Sequence, residues 1–223
     1  MSSLPPNVHV SKHPCLGAKL SQLRSHMASP EDVKRLVHEM SLIVACEAFA
    51  DTLTTVESRK DTTPLGFDYT VMDTSPPTMC IVPILRSGLA MVDATQALLP
   101  RHVPIHHLGM YRDRTTLDPV EYYNNLPSKA SAPTSSLAIV VDPIIATGGT
   151  AAAAIGTLRE WGAEKVVVLA ILAAQDGLKR VAQEWAEATD IWVAGVDEQT
   201  TADGMLQPGL GDIGDRLFLT IGK

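Results

Sequence analysis

The chain alternates between unbroken apolar runs and stretches in which apolar residues recur every three or four positions. Residues 79–85, 137–141 and 166–173 are nearly continuous apolar runs, and 104–110 and 191–196 are further strand-like segments. A strand with one solvated face alternates apolar and polar residues. One that is apolar throughout is covered on both faces. Helical patterns lie between these runs. Ser29-Pro30-Glu31-Asp32 supplies a hydroxyl cap, a first-turn proline and acids at the positive end of a helix dipole. Val33, Leu36, Val37, Met40, Ile43 and Val44 follow at helical spacing, predicting a long one-sided helix to about residue 56. Residues 88–99 form a second helical pattern that ends at Pro100, and 151–161 a third that Gly162 closes. Leu178, Val181, Ala182 and Trp185 mark a fourth. Strands alternating with helices predict parallel βαβ units and an open, doubly wound α/β sheet.

Three segments break the rhythm. Residues 1–17 read as an extended arm rich in Pro and Ser, within a 1–28 N-terminal segment. Residues 111–136 form an insertion that ends in a Ser/Ala/Pro-rich stretch, and 198–220 are rich in Gly and Asp with little helical pattern. Long insertions in a compact domain usually serve function or move.

Composition narrows the class. The 223 residues, 45% of them apolar, suit one domain, 1–223. The net charge of −7 argues against a nucleic-acid partner. No apolar run reaches the ~20 residues a membrane-spanning helix needs, so no membrane partner is expected. Three scattered cysteines, Cys15, Cys46 and Cys80, do not make a disulfide framework or a zinc site. With no signal-peptide pattern at the start, a cytoplasmic setting is expected.

Candidate chemistry sits at the ends of the apolar runs, where open parallel sheets bind ligands. Asp142 ends one run, and Ala146, Thr147, Gly148, Gly149 and Thr150 follow in the turn before a helix. Glycine lets a backbone approach a ligand, threonines add hydroxyl donors, and free N–H groups at a helix start attract anions. The spacing differs from both the Walker loop and the dinucleotide fingerprint. An ordinary strand–turn–helix without ligand has the same composition. Arg86, within the segment PILRSGLAM, lies at a second strand end facing the same edge. Its planar fork suits a phosphate, and a surface arginine is the alternative. Arg112 and Arg114 follow a third strand, in YRDRTTLDPVEYY, which also reads as a hairpin packing on another subunit. In LQPGLGDIGDR, backbone groups can face a flat ligand, and Asp212 a sugar hydroxyl or hydrated metal. An irregular turn explains the same residues.

Taken in order, VVDPIIATGGT, PILRSGLAM, MYRDRTTLDPVEYYNNLP and QPGLGDIGDRLF resemble the signatures of the uracil phosphoribosyltransferases, a branch of the type I phosphoribosyltransferases. His13-Pro14, Lys19-Leu20 and Leu23-Arg24 resemble the family's N-terminal segment. The resemblance implies a helical N-terminal segment, a β-arm within 111–136 used in dimer contact, and a C-terminal hood at 198–220 that recognises a base. It implies that uracil and 5-phospho-α-D-ribose 1-diphosphate (PRPP) give UMP and diphosphate, with Mg²⁺ held mainly by diphosphate and water. Asp142, Pro143, Ile144, Ile145, Ala146, Thr147, Gly148, Gly149 and Thr150 would hold the ribose hydroxyls and 5′-phosphate. Arg86 and Arg112 would contact diphosphate, and Asp212 the ribose or hydrated metal. Backbone at Leu206, Gly211, Asp212 and Ile213 would read uracil. A homodimer or higher homo-oligomer is implied, and a GTP effector is left open. Departures from the family pattern include Ser87 and Ala90 in the diphosphate loop, and Met205, Leu206 and Ile213 in the hood. Ile213 is expected to crowd the base. A catalytically weak homologue that binds a nucleotide is the alternative reading.

Overall fold

The computed structural model describes residues 3–113, 116, 118–128 and 135–220. In chain order the elements are β1 (Val8–Val10), α1 (Pro14–Arg24), α2 (Pro30–Thr52), β2 (Thr54–Thr62), β3 (Asp68–Ser75), β4 (Met79–Leu85) and α3 (Leu89–Ala97). Next come β5 (Leu108–Arg112), β6 (Pro119–Asn124), β7 (Leu137–Val141), β8 (Ile144–Ile145), α4 (Gly149–Trp161) and β9 (Lys165–Ala174). The chain ends with α5 (Gln175–Glu184), β10 (Thr189–Asp197), β11 (Gln199–Thr200), β12 (Leu206–Gln207) and α6 (Ile213–Phe218).

The central sheet runs β1-β10-β9-β7-β4-β5-β6, with the short β8 also paired to β9. Its pairings are parallel except for the antiparallel β5–β6 edge. The doubly wound sheet expected from the apolar runs is therefore present. Parity along its strands builds two cores. Ile81, Ile139 and Leu169 face one side, where α1, α2 and α3 contribute Leu16, Leu36 and Met91. Their neighbours Val82, Val140 and Val168 face the other side, with Ile155 of α4 and Leu178 of α5. Both sides of each pleat are buried, so no polar position interrupts the runs.

Local signals set the helix ends. Ser29 Oγ accepts the Asp32 N–H at 3.1 Å, with Pro30 in the first turn of α2. This helix stops at Thr52, short of residue 56. Its last buried residue is Phe49, and Leu53 is already extended ahead of the β-branched Thr54-Thr55-Val56. Gly162 closes α4 with φ 103°.

Several expectations need revision. The 1–17 arm contains β1, paired with β10, and the start of α1, which buries Leu16, Leu20 and Leu23. The strand expected at 104–110 begins at Leu108, and Ile105 makes a single bridge to Ile81. The 198–220 segment holds α6 and the small β11–β12 pair. Residues 54–75 form a hairpin apart from the central sheet, left unassigned by the sequence pattern. All nine residues of β2 are exposed. The expected arm within 111–136 is in part a hairpin too, but β5–β6 extends the sheet edge. Residues 129–134 lie outside the described residues. Among those described, no helix is long and apolar enough to cross a membrane.

Candidate active site

The carboxyl ends of β4 and β7 open into a cavity of about 360 Å³. On one wall stands the loop from Asp142 to Thr150. On the other stand residues 204–206 and 211–214, the hood. The sheet end makes the floor, and Met110, Tyr111 and Tyr122 of the β5–β6 hairpin close one side.

Asp142 is 7% exposed and lies at the end of β7. Its N–H donates to the Leu169 carbonyl at 3.2 Å, tying the loop to β9. Its carboxyl accepts the Ser87 hydroxyl at 3.1 Å. Burial pushes its pKa up to about 7, outweighing the opposing hydrogen bonds from Ser87 and the Ile144 N–H. Perturbed carboxyls of this kind cluster at functional sites, where burial and neighbours set the protonation state. Ser87 was seen in the sequence only as a departure from the family pattern. Its bond to a residue 55 positions away left no signal in spacing or composition.

The phosphate-side loop is shaped by close backbone packing. Gly148 has φ 76°, a left-handed conformation that side chains other than glycine adopt at a cost. A Cβ there would also run into the Gly177 carbonyl at the start of α5. The chain then enters α4 at Gly149, and the Ala152 N–H makes its helical bond to the Gly148 carbonyl at 2.9 Å. The N–H groups preceding Ala152 lack such partners within the helix and supply a partial positive end beside the cavity. Ile144, Ile145, Ala146, Thr147, Gly148 and Thr150 line the cavity, whereas Pro143 and Gly149 do not.

Arg86 lies at the mouth, with 54% of its side chain exposed. Nη1 donates to Thr220 Oγ1 at 3.3 Å and Nη2 to Asp215 Oδ1 at 3.4 Å. The guanidinium carbon lies 6.0 Å from the Phe218 ring centroid. Arg86 therefore links the β4 end to α6 of the hood. Arg112 ends β5 beside the cavity-lining Tyr111. The Arg112 side chain and all of Arg114 lie outside the described residues, so their phosphate contacts stay as expectations.

In the hood, Asp212 caps α6, accepting the Asp215 N–H at 2.9 Å through Oδ1. Leu206, Gly211, Asp212 and Ile213 all border the cavity, as do Gly204 and Met205. Ile213 is 6% exposed and joins Leu206 and Leu210 in the core. Most of its surface is thus spent on packing, which weakens the expectation that it crowds a bound base. Among the described residues, no group of three or more His, Cys, Asp or Glu side chains is placed to hold a metal. His106 packs its ring edge-on against Trp161, with centroids 5.7 Å apart.

One side of the cavity thus offers helix-start amide groups suited to an anion and the other the hood residues 204–206 and 211–214, with a buried acid between them at the strand ends. That arrangement on this fold defines a type I phosphoribosyltransferase. Comparison with known proteins makes the class specific. The uracil phosphoribosyltransferase family model matches residues 10–220, and the chain belongs to that family. The uracil phosphoribosyltransferase of Desulfitobacterium hafniense is 40% identical, over 96% of this chain and 98% of its own. That of Clostridium botulinum is 42% identical, over 93% and 96%. Among solved structures, the AQ2163 protein from Aquifex aeolicus matches with a TM-score of 0.86 at 29% identity, covering 96% of this chain and 98% of that one. Adenine phosphoribosyl transferase from Trypanosoma brucei shares the fold at a TM-score of 0.54 and 16% identity, over 88% and 87% of the two chains.

Proposed function

We propose that the chain transfers the phosphoribosyl group of PRPP to uracil, giving UMP and diphosphate in pyrimidine salvage. The observation that carries this reading is one cavity walled by the Asp142–Thr150 loop on one side and the hood on the other. An activated sugar phosphate fits against the first wall and a planar base against the second.

The residues divide the work by their chemistry. The amide hydrogens at the start of α4 that lack helical partners suit the 5′-phosphate, with Thr147 and Thr150 lining the cavity beside them. Asp142, when ionised, accepts hydrogen bonds from ribose hydroxyls. Arg86 and Arg112 grip the diphosphate. The present Arg86 bonds are long and solvent-facing, so a diphosphate can replace them. As the C1–O bond breaks, its electron pair leaves with the diphosphate and the sugar gains oxocarbenium character. Uracil N1 bonds to C1, and its proton passes to solvent or to the departing diphosphate. Arginine forks stabilise the charge growing on the leaving group. Asp212 spends Oδ1 on capping α6 and keeps Oδ2 for the ribose or the hydrated metal. Positioning and leaving-group departure drive the reaction.

A Mg²⁺ ion would be held mainly by diphosphate and water, and Asp142 and Asp212, the two carboxylates among the described residues that line the cavity, are the residues that could contact its hydration shell. When bound, that ion neutralises diphosphate charge. Uracil presents acceptor, donor and acceptor along one edge, which backbone N–H and C=O groups at Leu206 and Gly211–Ile213 can match. Cytosine would set donor against donor, costing ~1–3 kcal/mol for an unpaired buried group. The free thiols of Cys15, Cys46 and Cys80 support a cytoplasmic setting. Leu65, Phe67 and Met72, exposed on the β2–β3 hairpin, support a contact with a second copy in a homodimer.

The direct test supplies uracil, PRPP and Mg²⁺ and measures UMP. Formation of UMP is expected. PRPP binding without product would refute transfer and leave a nucleotide-binding homologue.

A further inference from the structure

The hood wall is held from behind by two arginines that never reach the cavity. Arg24 is the last residue of α1, and Asp197 the last of β10. Arg24 Nη2 meets Asp197 Oδ1 at 2.5 Å, and Nη1 meets Oδ2 at 3.1 Å. The same Nη1 donates to the Gly209 carbonyl at 2.7 Å. Asp197 Oδ2 in turn accepts the Gly209 N–H at 2.9 Å. Both backbone groups of Gly209 are therefore held by one ion pair. The Asp197 side chain is only 3% exposed and that of Arg24 25%, so the acid is shielded from solvent and the guanidinium partly so.

Arg216 repeats the device one turn along. From α6, its Nη1 donates to the Leu23 and Leu210 carbonyls, each at 2.7 Å, and its Nη2 to the Ser25 carbonyl at 2.9 Å. The hood is thus fastened to the end of α1, far back in the sequence. Gly209 N–H, Gly209 C=O and Leu210 C=O are all occupied on this outer side. Leu206 and Gly211 border the cavity on the other. Gly209 has φ 63°, and a Cβ there would collide with the Leu206 carbonyl, so the turn is tight as well as tethered.

We propose that Arg24, with Asp197, and Arg216 are positioning residues for base recognition. They fix the backbone of 206–211 in the geometry that reads the base edge and leave the sugar-phosphate wall alone. A recognition edge made of main chain has no side-chain rotamer to lock it, so its precision comes from whatever holds the loop. Three observations support this role. Both arginines bond to backbone of the loop, neither lines the cavity, and neither bonds to residues 142–150.

The inference rests on the base-site reading above, so its test has two arms. Arg24→Lys and Arg216→Lys are each compared with the parent for KM of uracil and of PRPP. Amide hydrogen exchange is followed separately at 206–211 and 142–150. Lysine keeps the charge but loses the fork. The expected result is a KM for uracil raised about tenfold with KM for PRPP little changed, as lost hydrogen bonds to a charged group imply. Faster exchange confined to 206–211 should accompany it. A parallel rise in both KM values would overturn the proposal, because it signals general loosening. So would faster hood exchange with an unaltered KM for uracil, or no change in either readout. If one variant fails to fold, the other is read in the same assays. Should the parent make no UMP, the base-site reading fails, and exchange alone then decides whether the arginines hold the loop.

Discussion

The two walls of the cavity are held in shape by different means. The Asp142–Thr150 loop is short and joins β7, a core strand, to α4 through the two-residue β8, which pairs with β9. Its shape follows from covalent continuity, a left-handed glycine and backbone packed on backbone. The hood has only the two-residue strands β11 and β12 and the short α6. Its shape is imposed by side chains reaching in from α1 and β10. A loop anchored in the sheet needs few partners. A loop hung at the edge needs ion pairs and carbonyl-bound arginines, and its order depends on elements distant in sequence.

The largest expected effect breaks the sheet-anchored wall. Asp142→Asn should lower UMP formation about 10- to 100-fold, from the ~1.5–3 kcal/mol of a hydrogen bond to a charged group. Steady-state turnover checks this. The same substitution should stabilise the unliganded fold at alkaline pH. Burial raises the pKa of Asp142 above its unfolded value, so the folded chain holds the proton longer than the unfolded one. This group's contribution to stability is complete below its ordinary pKa of about 4 and is lost as pH rises through about 7. Thermal melts between pH 5 and 8 should fall with pH in the parent and flatten in Asp142→Asn. A slope identical in both would show that Asp142 does not titrate there.

Next in size, Gly148→Ala should cost about 1–3 kcal/mol through strain at positive φ and collision with Gly177. Chemical denaturation would show it, and calorimetry should find PRPP binding weakened with it. A smaller change comes from Ser87→Ala, which takes a donor from Asp142. Its carboxylate becomes harder to ionise, so the acid limb of the pH–rate profile should move upward. An unmoved limb would separate Ser87 from catalysis. The smallest effect on the base is expected from Ile213→Ala. Because that side chain packs in the core, melting temperature should drop while KM for uracil stays near the parent value. A clear gain in uracil affinity would restore the crowding idea.

The contrast between the walls also governs what the sequence revealed. β4 and β7 were legible to the residue because burial on both faces leaves an unbroken apolar signature. Asp142 and Arg86 were legible because they punctuate such runs at the ligand-binding edge. The β2–β3 hairpin was not, because β2 buries neither face and hydrophobic alternation has nothing to record. α1 was implied only by the family resemblance and not by the hydrophobic pattern, because its proline start resembles a loop and its three buried leucines span one short helix. The Arg24–Asp197 pair joins residues 173 positions apart, so no local pattern carries it. Ser87 looked like a minor exchange until the fold placed Asp142 beside it.

The even and odd positions of β4 and β7, and of β9 as far as Ile171, supply separate cores on opposite faces of one sheet. A single inserted or deleted residue within β4 or β7 would send every later side chain of that strand to the wrong compartment, exchanging bulky fillers for small ones on both faces at once. β9 changes parity at Ile171–Leu172, where both N–H groups bond to the Pro143 carbonyl, so a shift is accommodated there by the loop after β7. The sheet's interior is in effect a fixed reading frame, written in side-chain volume rather than codons.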